Sequence, residues 1–300
     1  MEWTAATALP VEGRAWPVAQ LNTPFDRLPA RAEGVVREPV WSLSQDSAGL
    51  VVRFSSDSPE LHARWTLRKA NLAMSHMPAT GVSGLDLYVH AAGAWRWLAV
   101  GQPNAQENEV RLCAGLALSE PHQFMLYLPL YNGVESVELG VPTGSGSITA
   151  AAPRPAAASA PIVFYGTSIT QGGCASRPGM SYPAIVGRRL DRAVINLGFS
   201  GNGRMEPEVA ELLASIQPPP CCFVIDALPN MNGELVTENA PGLVRTIRAA
   251  HPTTPLLLVE DRIYASVHTG LMPAQGEANR SNRDALKGVH EALLAEGVTG

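Results

Sequence analysis

Charge is scarce in this sequence: Asp, Glu, Lys and Arg make up 16% of 300 residues, 22 basic against 27 acidic, for a formal net charge of -5. A mildly acidic chain has no general attraction to phosphate backbones or anionic lipid, so neither nucleic acid nor membrane is expected as a partner. Long apolar runs are also missing. Stretches such as LLLV at 256–259 fall far short of the roughly 20 residues that span a bilayer. The N-terminus, MEWTAATALPVEGRAW, has no basic start followed by an apolar block; no secretory signal is visible, and a cytoplasmic location is expected. Cysteine is rare, and Cys113, Cys174, Cys221 and Cys222 form neither a CxxC pair nor a disulfide framework suited to a chain this long. The adjacent Cys221 and Cys222 read as small buried apolar residues at a strand start, and Cys174 is given no chemical role. What the chain does have is apolar substance, 46% of its residues, enough for a substantial core and, at this length, for two domains.

Composition shifts near the middle. Residues 143–161, TGSGSITAAAPRPAAASAP, hold small residues, prolines and a single charge, and read as a linker or an extended surface crossing. Before it, short runs recur between turn residues: LVVRF (50–54), LHARWTLR (61–68), LDLYVH (85–90), WRWLAV (95–100), HQFMLYLPL (122–130) and VESVELGV (134–141). Many short strands of this kind predict an all-β sandwich. After the linker, apolar strands and helical patterns take turns. PIVFYG (161–166), AVINLG (193–198), CCFVIDAL (221–228) and PLLLVED (255–261) alternate with helices at 181–190, 206–216, 240–250 and 280–297. That rhythm predicts a parallel sheet covered on both faces, with ligands at the carboxyl ends of its strands.

Three strand ends carry residues suited to chemistry. The first runs into Gly166-Thr167-Ser168-Ile169-Thr170; a serine there either presents its hydroxyl on a sharp turn or caps the next helix. Position 170 is Thr, so this is not the G-x-S-x-G elbow. The second ends in Asn196-Leu197-Gly198-Phe199-Ser200-Gly201-Asn202-Gly203, a run that can aim backbone N–H groups into a pocket or simply turn. Its G-x-x-G-x-G spacing is not that of dinucleotide binding. The third ends in Asp226-Ala227-Leu228-Pro229-Asn230, where Pro229 predicts an extended residue before it and the Asn230 amide can donate to an oxyanion or serve the turn.

Taken together, these motifs in this order resemble the SGNH (GDSL-like) hydrolase family. The resemblance implies that Ser168 is the nucleophile, with Gly201 as backbone donor and Asn230 as amide donor of an oxyanion hole. The third motif departs from the usual G-x-N-D, having Pro229 before Asn230 and Met231 after it. The run VFYGTSITQGGCASRPGMSYPA is similar to a subgroup whose hydrolase domain follows a β-rich module marked by G-x-D-L-Y, here Gly84-Leu85-Asp86-Leu87-Tyr88. The implied architecture is an α/β, three-layer αβα (flavodoxin-like) hydrolase domain over 161–300. A jelly-roll-like β-sandwich over 1–145 and a linker over 146–160 precede it.

The family's Asp-x-x-His, which supplies the base, occurs nowhere in these residues. The run stops at EALLAEGVTG, on a helix, so the resemblance implies a hydrolase domain truncated at its C-terminus, with the catalytic His and Asp beyond Gly300. His268, in the loop after the fourth strand, is the one local substitute at that edge; the Glu260-Asp261-Arg262 cluster reads as a substrate contact or a local ion-pair network. The implied activity is a serine esterase acting on a small acyl ester, a short-chain or acetyl ester possibly on a carbohydrate, with no metal or organic cofactor. Two alternatives stay open: an acyltransferase using the same site, and a non-catalytic carbohydrate-binding protein using Trp41, Trp65, Trp95 and Trp97.

Overall fold

The computed structural model describes residues 1–118 and 120–298, so Ser119 and the last two residues of the expected 161–300 domain lie outside the described residues. In its first half, ten strands follow in chain order: β1 (Glu2–Ala5), β2 (Val11–Glu12), β3 (Val51–Ser56), β4 (Glu60–Leu67), β5 (Leu85–Ala91), β6 (Ala94–Gly101), β7 (Glu107–Ala114), β8 (His122–Tyr127), β9 (Val134–Val141) and β10 (Ile148–Ala150). They form two antiparallel sheets, one ordered β1-β9-β4-β7 and one ordered β10-β3-β8-β5-β6 with β2 beside β3. The alternation in β4 is strict: Leu61, Ala63, Trp65 and Leu67 are buried beside Val137 and Leu139 of β9 and share the sandwich core with Phe54, Phe124 and Leu126 of the other sheet. β8 does not alternate because both its faces are covered. Phe124 and Leu126 enter that core, whereas Met125 and Tyr127 pack with Val51, Tyr88 and Ala184 on the side of the second half. Two short helices, α1 (Glu38–Ser44) and α2 (Ala79–Val82), interrupt the strands.

The stretch read as a linker is tied down over its first part. β10 pairs with β3, and the helical turn α3 (Ala156–Ser159) follows. Ladder hydrogen bonds need only backbone, so small residues suffice for an edge strand.

The second half is a parallel sheet of β11 (Ile162–Gly166), β12 (Val194–Gly198), β13 (Cys222–Asp226) and β14 (Leu256–Leu258) in the order β12-β11-β13-β14. Helices α4 (Ser168–Gln171), α5 (Tyr182–Arg189), α6 (Pro207–Ala214), α7 (Gly233–Ala250), α8 (Ala265–His268) and α9 (Pro273–Ala295) alternate with its strands. Tyr182 and Val186 of α5 cover Ile162, Phe164 and Val224 on one face. Residues of α6, α7 and α9 cover Val163, Tyr165, Phe223 and Ile225 on the other, which makes three layers. That second core also takes Trp16, Leu28, Val36 and Trp41 from the first half, so the two halves share buried surface.

α7 begins at Gly233, earlier than the expected 240, and carries Pro241 inside it. Asn232 caps it by accepting from Leu235 N at 2.8 Å, and the buried stripe Val236, Ala240, Leu243, Val244 and Ile247 holds the helix through the missing donor of Pro241. No helix among the described residues is long and apolar enough to cross a membrane.

Candidate active site

Gly166 lies level with Gly198 on one side and Asp226 on the other, so the three chain exits leave the sheet at one height. In a sheet ordered this way the crevice opens where successive strands part to either side of the first, between β11 and β13. Ser168, two residues past Gly166, opens α4 and is half-buried. Thr167 caps that turn, its Oγ1 accepting from Ile169 N at 3.2 Å. The Ser168 carbonyl accepts from Gly172 N (2.9 Å), Gly173 N (2.7 Å) and the Tyr131 hydroxyl (3.3 Å), which fixes its main chain from three sides.

The next exit folds back on the first. Phe199 N donates to Gly166 O at 2.9 Å, and Asn202 N and Gly203 N both donate to Phe199 O. Gly201 takes a left-handed φ of +71° with open space beside its Cα, and its N–H carries no internal hydrogen bond among the described residues. Gly203 is required for a different reason: a Cβ there would lie 2.0 Å from Gly166 O.

Leu228–Asn230 is a 3-10 turn, which corrects the extended residue expected before Pro229. Proline sits in the first positions of the turn, where its missing N–H costs nothing, and Asn230 N→Ala227 O (3.1 Å) and Met231 N→Leu228 O (2.9 Å) close it. The Asn230 carboxamide is oriented by its neighbours: Oδ1 accepts from Asn202 N (3.0 Å) and Gly203 N (3.2 Å), so Nδ2 is the end turned away from that loop. The structure therefore joins Asn230 directly to the Gly201 loop, and joins the Ser168 turn to the same loop through Gln171, whose Oε1 accepts from Ser200 N at 2.9 Å.

Sequence reasoning missed the residues that brace these turns. Asn282 of α9 donates to Leu228 O (3.3 Å), Met231 O (3.1 Å) and Asp261 Oδ2 (3.1 Å), and Asn279 donates to the same oxygen at 2.7 Å. With the Arg262 ion pair, Asp261 and Arg262 of the Glu260-Asp261-Arg262 cluster form a local network under the Asn230 turn, while Glu260 is exposed. Asp226 accepts from Tyr182 OH (2.9 Å) and Thr170 Oγ1 (3.3 Å); burial pushes its carboxyl above the usual range against those two bonds.

From the first half, Arg37 clasps the Gly201 loop through Asn202 Oδ1 (2.7 Å), Asn202 O (2.9 Å) and Glu206. Arg27 is 1% exposed and donates to four carbonyls: Asp46 (2.8 Å), Leu43 (2.6 Å), Asn196 (3.1 Å) and Gly198 (2.8 Å). It thereby covers the open edge of β12, its guanidinium 5.0 Å from the Phe199 ring, and burial holds its pKa down to about 10. These contacts span 169 and 171 residues, beyond any local periodicity. A cavity of about 490 Å³ lies beside the loop, bounded by Asp46, Lys69, Tyr131, Ser200 and Asn202 among others.

The G-x-D-L-Y motif is a docking device. Buried Asp86 accepts from Gly179 N (2.8 Å) and Trp97 Nε1 (2.9 Å) and pairs with Arg177, and Arg188 lies 3.9 Å over the Tyr88 ring. Burial pushes the Asp86 carboxyl up to about 6. Trp41 and Trp65 are core residues, and Trp97, 51% exposed, is engaged by Asp86 and by Arg177 above its ring. Exposed His268 ends α8 with no hydrogen bond to Ser168 among the described residues. His251 is buried against Phe223, bonded to Ala214 O. Cys174 is exposed in a left-handed turn after Gly173, and Cys221 and Cys222, expected to be buried, are half-buried at the start of β13. Among the described residues no group of three His, Cys, Asp or Glu side chains is placed to hold a metal.

Comparison with known proteins gives a consistent answer. Residues 1–146 match the GxDLY model, the N-terminus of SGNH hydrolase-type esterases, and residues 159–300 match the GDSL-like lipase/acylhydrolase family. A protein of Bacteroides ovatus classed as a GDSL-like lipase is 32% identical with a TM-score of 0.90, the match covering 99% of this chain and 85% of that one. A salicylyl-acyltransferase from a tetracycline biosynthetic pathway is similar in fold at 19% identity and TM-score 0.72 (99% and 83% covered). So is a family two carbohydrate esterase of Clostridium thermocellum, solved with cellohexaose, at 18% and 0.54 (83% and 79% covered). No curated protein sequence matches.

Proposed function

The chain belongs to the GDSL-like lipase/acylhydrolase family, and on that footing we propose that it transfers an acyl group from a small ester through Ser168. The Ser168 Oγ attacks the ester carbonyl carbon and gives up its proton to a base, which in the family pattern is the histidine of Asp-x-x-His. The carbonyl electrons move onto oxygen, where the N–H groups of Ser168 and Gly201 and the Asn230 Nδ2 receive them; each such donor is worth roughly 2.7–4 kcal/mol of barrier. Collapse breaks the bond to the alcohol, which leaves with the proton; water then attacks the acyl-Ser168 ester, giving its proton to the same base, and cleavage of the acyl–Oγ bond releases the acid as that proton returns to Ser168 Oγ. An alcohol attacking in place of water makes the same intermediate serve acyl transfer. None of these steps calls for a metal or organic cofactor.

The observation that supports this reading is the Asn230 carboxamide, its oxygen accepting from Asn202 N and Gly203 N of the Gly201 loop, which makes Nδ2 its donor end, on the turn that leaves β13 level with the exit of β11 into Ser168. The polar cavity beside the Gly201 loop, with Asp46, Lys69, Tyr131, Ser200 and Asn202 on its wall, supports a hydroxyl-bearing alcohol such as a carbohydrate, carrying a short acyl or acetyl group. The non-catalytic alternative fits less well, since Trp41 and Trp65 are core residues and Ser168 is not fully buried. Turnover of p-nitrophenyl acetate by the native full-length protein tests the proposal. A folded Ser168→Ala variant is expected to lose it, and one that keeps wild-type turnover refutes the assignment.

A further inference from the structure

Gln171 lies in the Ser168 turn, yet its side chain is wholly buried and directs its hydrogen bonds out of that turn. Oε1 accepts from Ser200 N at 2.9 Å, while Nε2 donates to Leu130 O at 3.0 Å and reaches Asp46 Oδ2 at 3.4 Å. Leu130 and Asp46 belong to the β-rich first half, and Ser200 immediately precedes Gly201. We propose that Gln171 is a positioning residue that sets the direction of the Gly201 N–H by locking Ser200 to the first half of the chain. The inference rests on the acyl-transfer reading above.

Gly201 cannot hold that direction itself. Nothing packs against its Cα, and its left-handed backbone is set by its neighbours. Asn202 is held on one side by Arg37 and Asn230, and Ser200 on the other by Gln171. The position demands a carboxamide, because one end must accept from Ser200 and the other donate to Leu130. A carboxylate has the right shape and the wrong polarity: its second oxygen would meet the Leu130 carbonyl and the Asp46 carboxylate. The charged and titratable groups around this point are Asp46, Lys69 paired with Asp46, Arg27, and Tyr131, whose hydroxyl bonds Ser168 O.

The test uses the native full-length protein, with hydrogen–deuterium exchange over residues 198–205 and turnover of p-nitrophenyl acetate read side by side. Gln171→Met is expected to raise exchange at Ser200 and lower kcat roughly tenfold, the loss of one buried hydrogen bond, with KM nearly unchanged. Gln171→Glu is expected to be impaired at pH 8 and to recover toward pH 5 relative to wild type, as protonation restores the donor to Leu130 O. Space-filling alone gives no such recovery. Unchanged exchange and kcat in Gln171→Met, or a Gln171→Glu profile parallel to wild type, overturns the proposal, and the second variant decides alone if the first does not fold. Ser168→Ala separates the two readings: it is expected to abolish turnover and leave Ser200 exchange untouched. If turnover survives it, the catalytic reading falls, while exchange still decides whether Gln171 holds Ser200.

Discussion

Replacing Arg27 with methionine tests the idea that the two halves of the chain are joined by a buried cation. Arg27 satisfies four main-chain carbonyls, two of them, Asn196 O and Gly198 O, at the buried outer edge of β12, which pairs with no further strand among the described residues. Methionine fills much of the space and donates nothing. A buried acceptor left unpaired costs about 1–3 kcal/mol. Two of the four carbonyls share one nitrogen, and removing the cation relieves the burial that holds its pKa down to about 10, so the low end applies. Four acceptors at about 1 kcal/mol each give a loss of about 4 kcal/mol, a large share of the roughly 5–15 kcal/mol of a folded domain. Arg27→Lys keeps the charge but not the planar fork, and is expected to fall between. Urea unfolding followed by tryptophan fluorescence reads this directly, since Trp16 and Trp41 lie in the core that both halves share. A loss under about 1 kcal/mol for Arg27→Met, against the figure worked from its four carbonyls, refutes the reasoning.

Two further outcomes are expected. Asn230→Ala lowers kcat by roughly 10²–10³ with KM nearly unchanged, because its amide acts on charge that exists only in the transition state; steady-state kinetics check this, and a pure KM effect reassigns Asn230 to substrate binding. Asp86, with its carboxyl raised from 3.8 to about 6, favours the folded state while protonated, so its contribution is full below about pH 4 and lost as pH rises through 6. A shift of that size is worth at most about 3 kcal/mol. Asp86→Asn is expected to flatten the fall in urea midpoint between pH 4 and pH 7, and an unchanged slope contradicts the assignment.

The parallel sheet was legible because its strands are short apolar runs spaced by amphipathic helices, and VESVELGV matched β9 residue for residue. Helix starts were less legible. The helix expected from 240 begins at Gly233, because a buried stripe and the Asn232 cap carry α7 through Pro241. The site motifs were visible because Ser168, Gly201 and Asn230 each follow a strand within five residues. Arg27, Arg37, Gln171 and Asn282 were not, since they act across 16 to 171 residues on backbone groups that leave no mark on sequence pattern. The Leu228 turn was misread because a rule about the residue before proline yielded to a turn in which Pro229 gives up no hydrogen bond.

The account turns on whether Ser168 carries the acyl group. Incubation of the native full-length protein with a fluorophosphonate, followed by peptide mass spectrometry, measures this most directly. The account predicts one adduct, on the peptide containing Gly166-Thr167-Ser168, absent from Ser168→Ala and slowed in Asn230→Ala. An adduct on another residue, or labelling that survives Ser168→Ala, contradicts it.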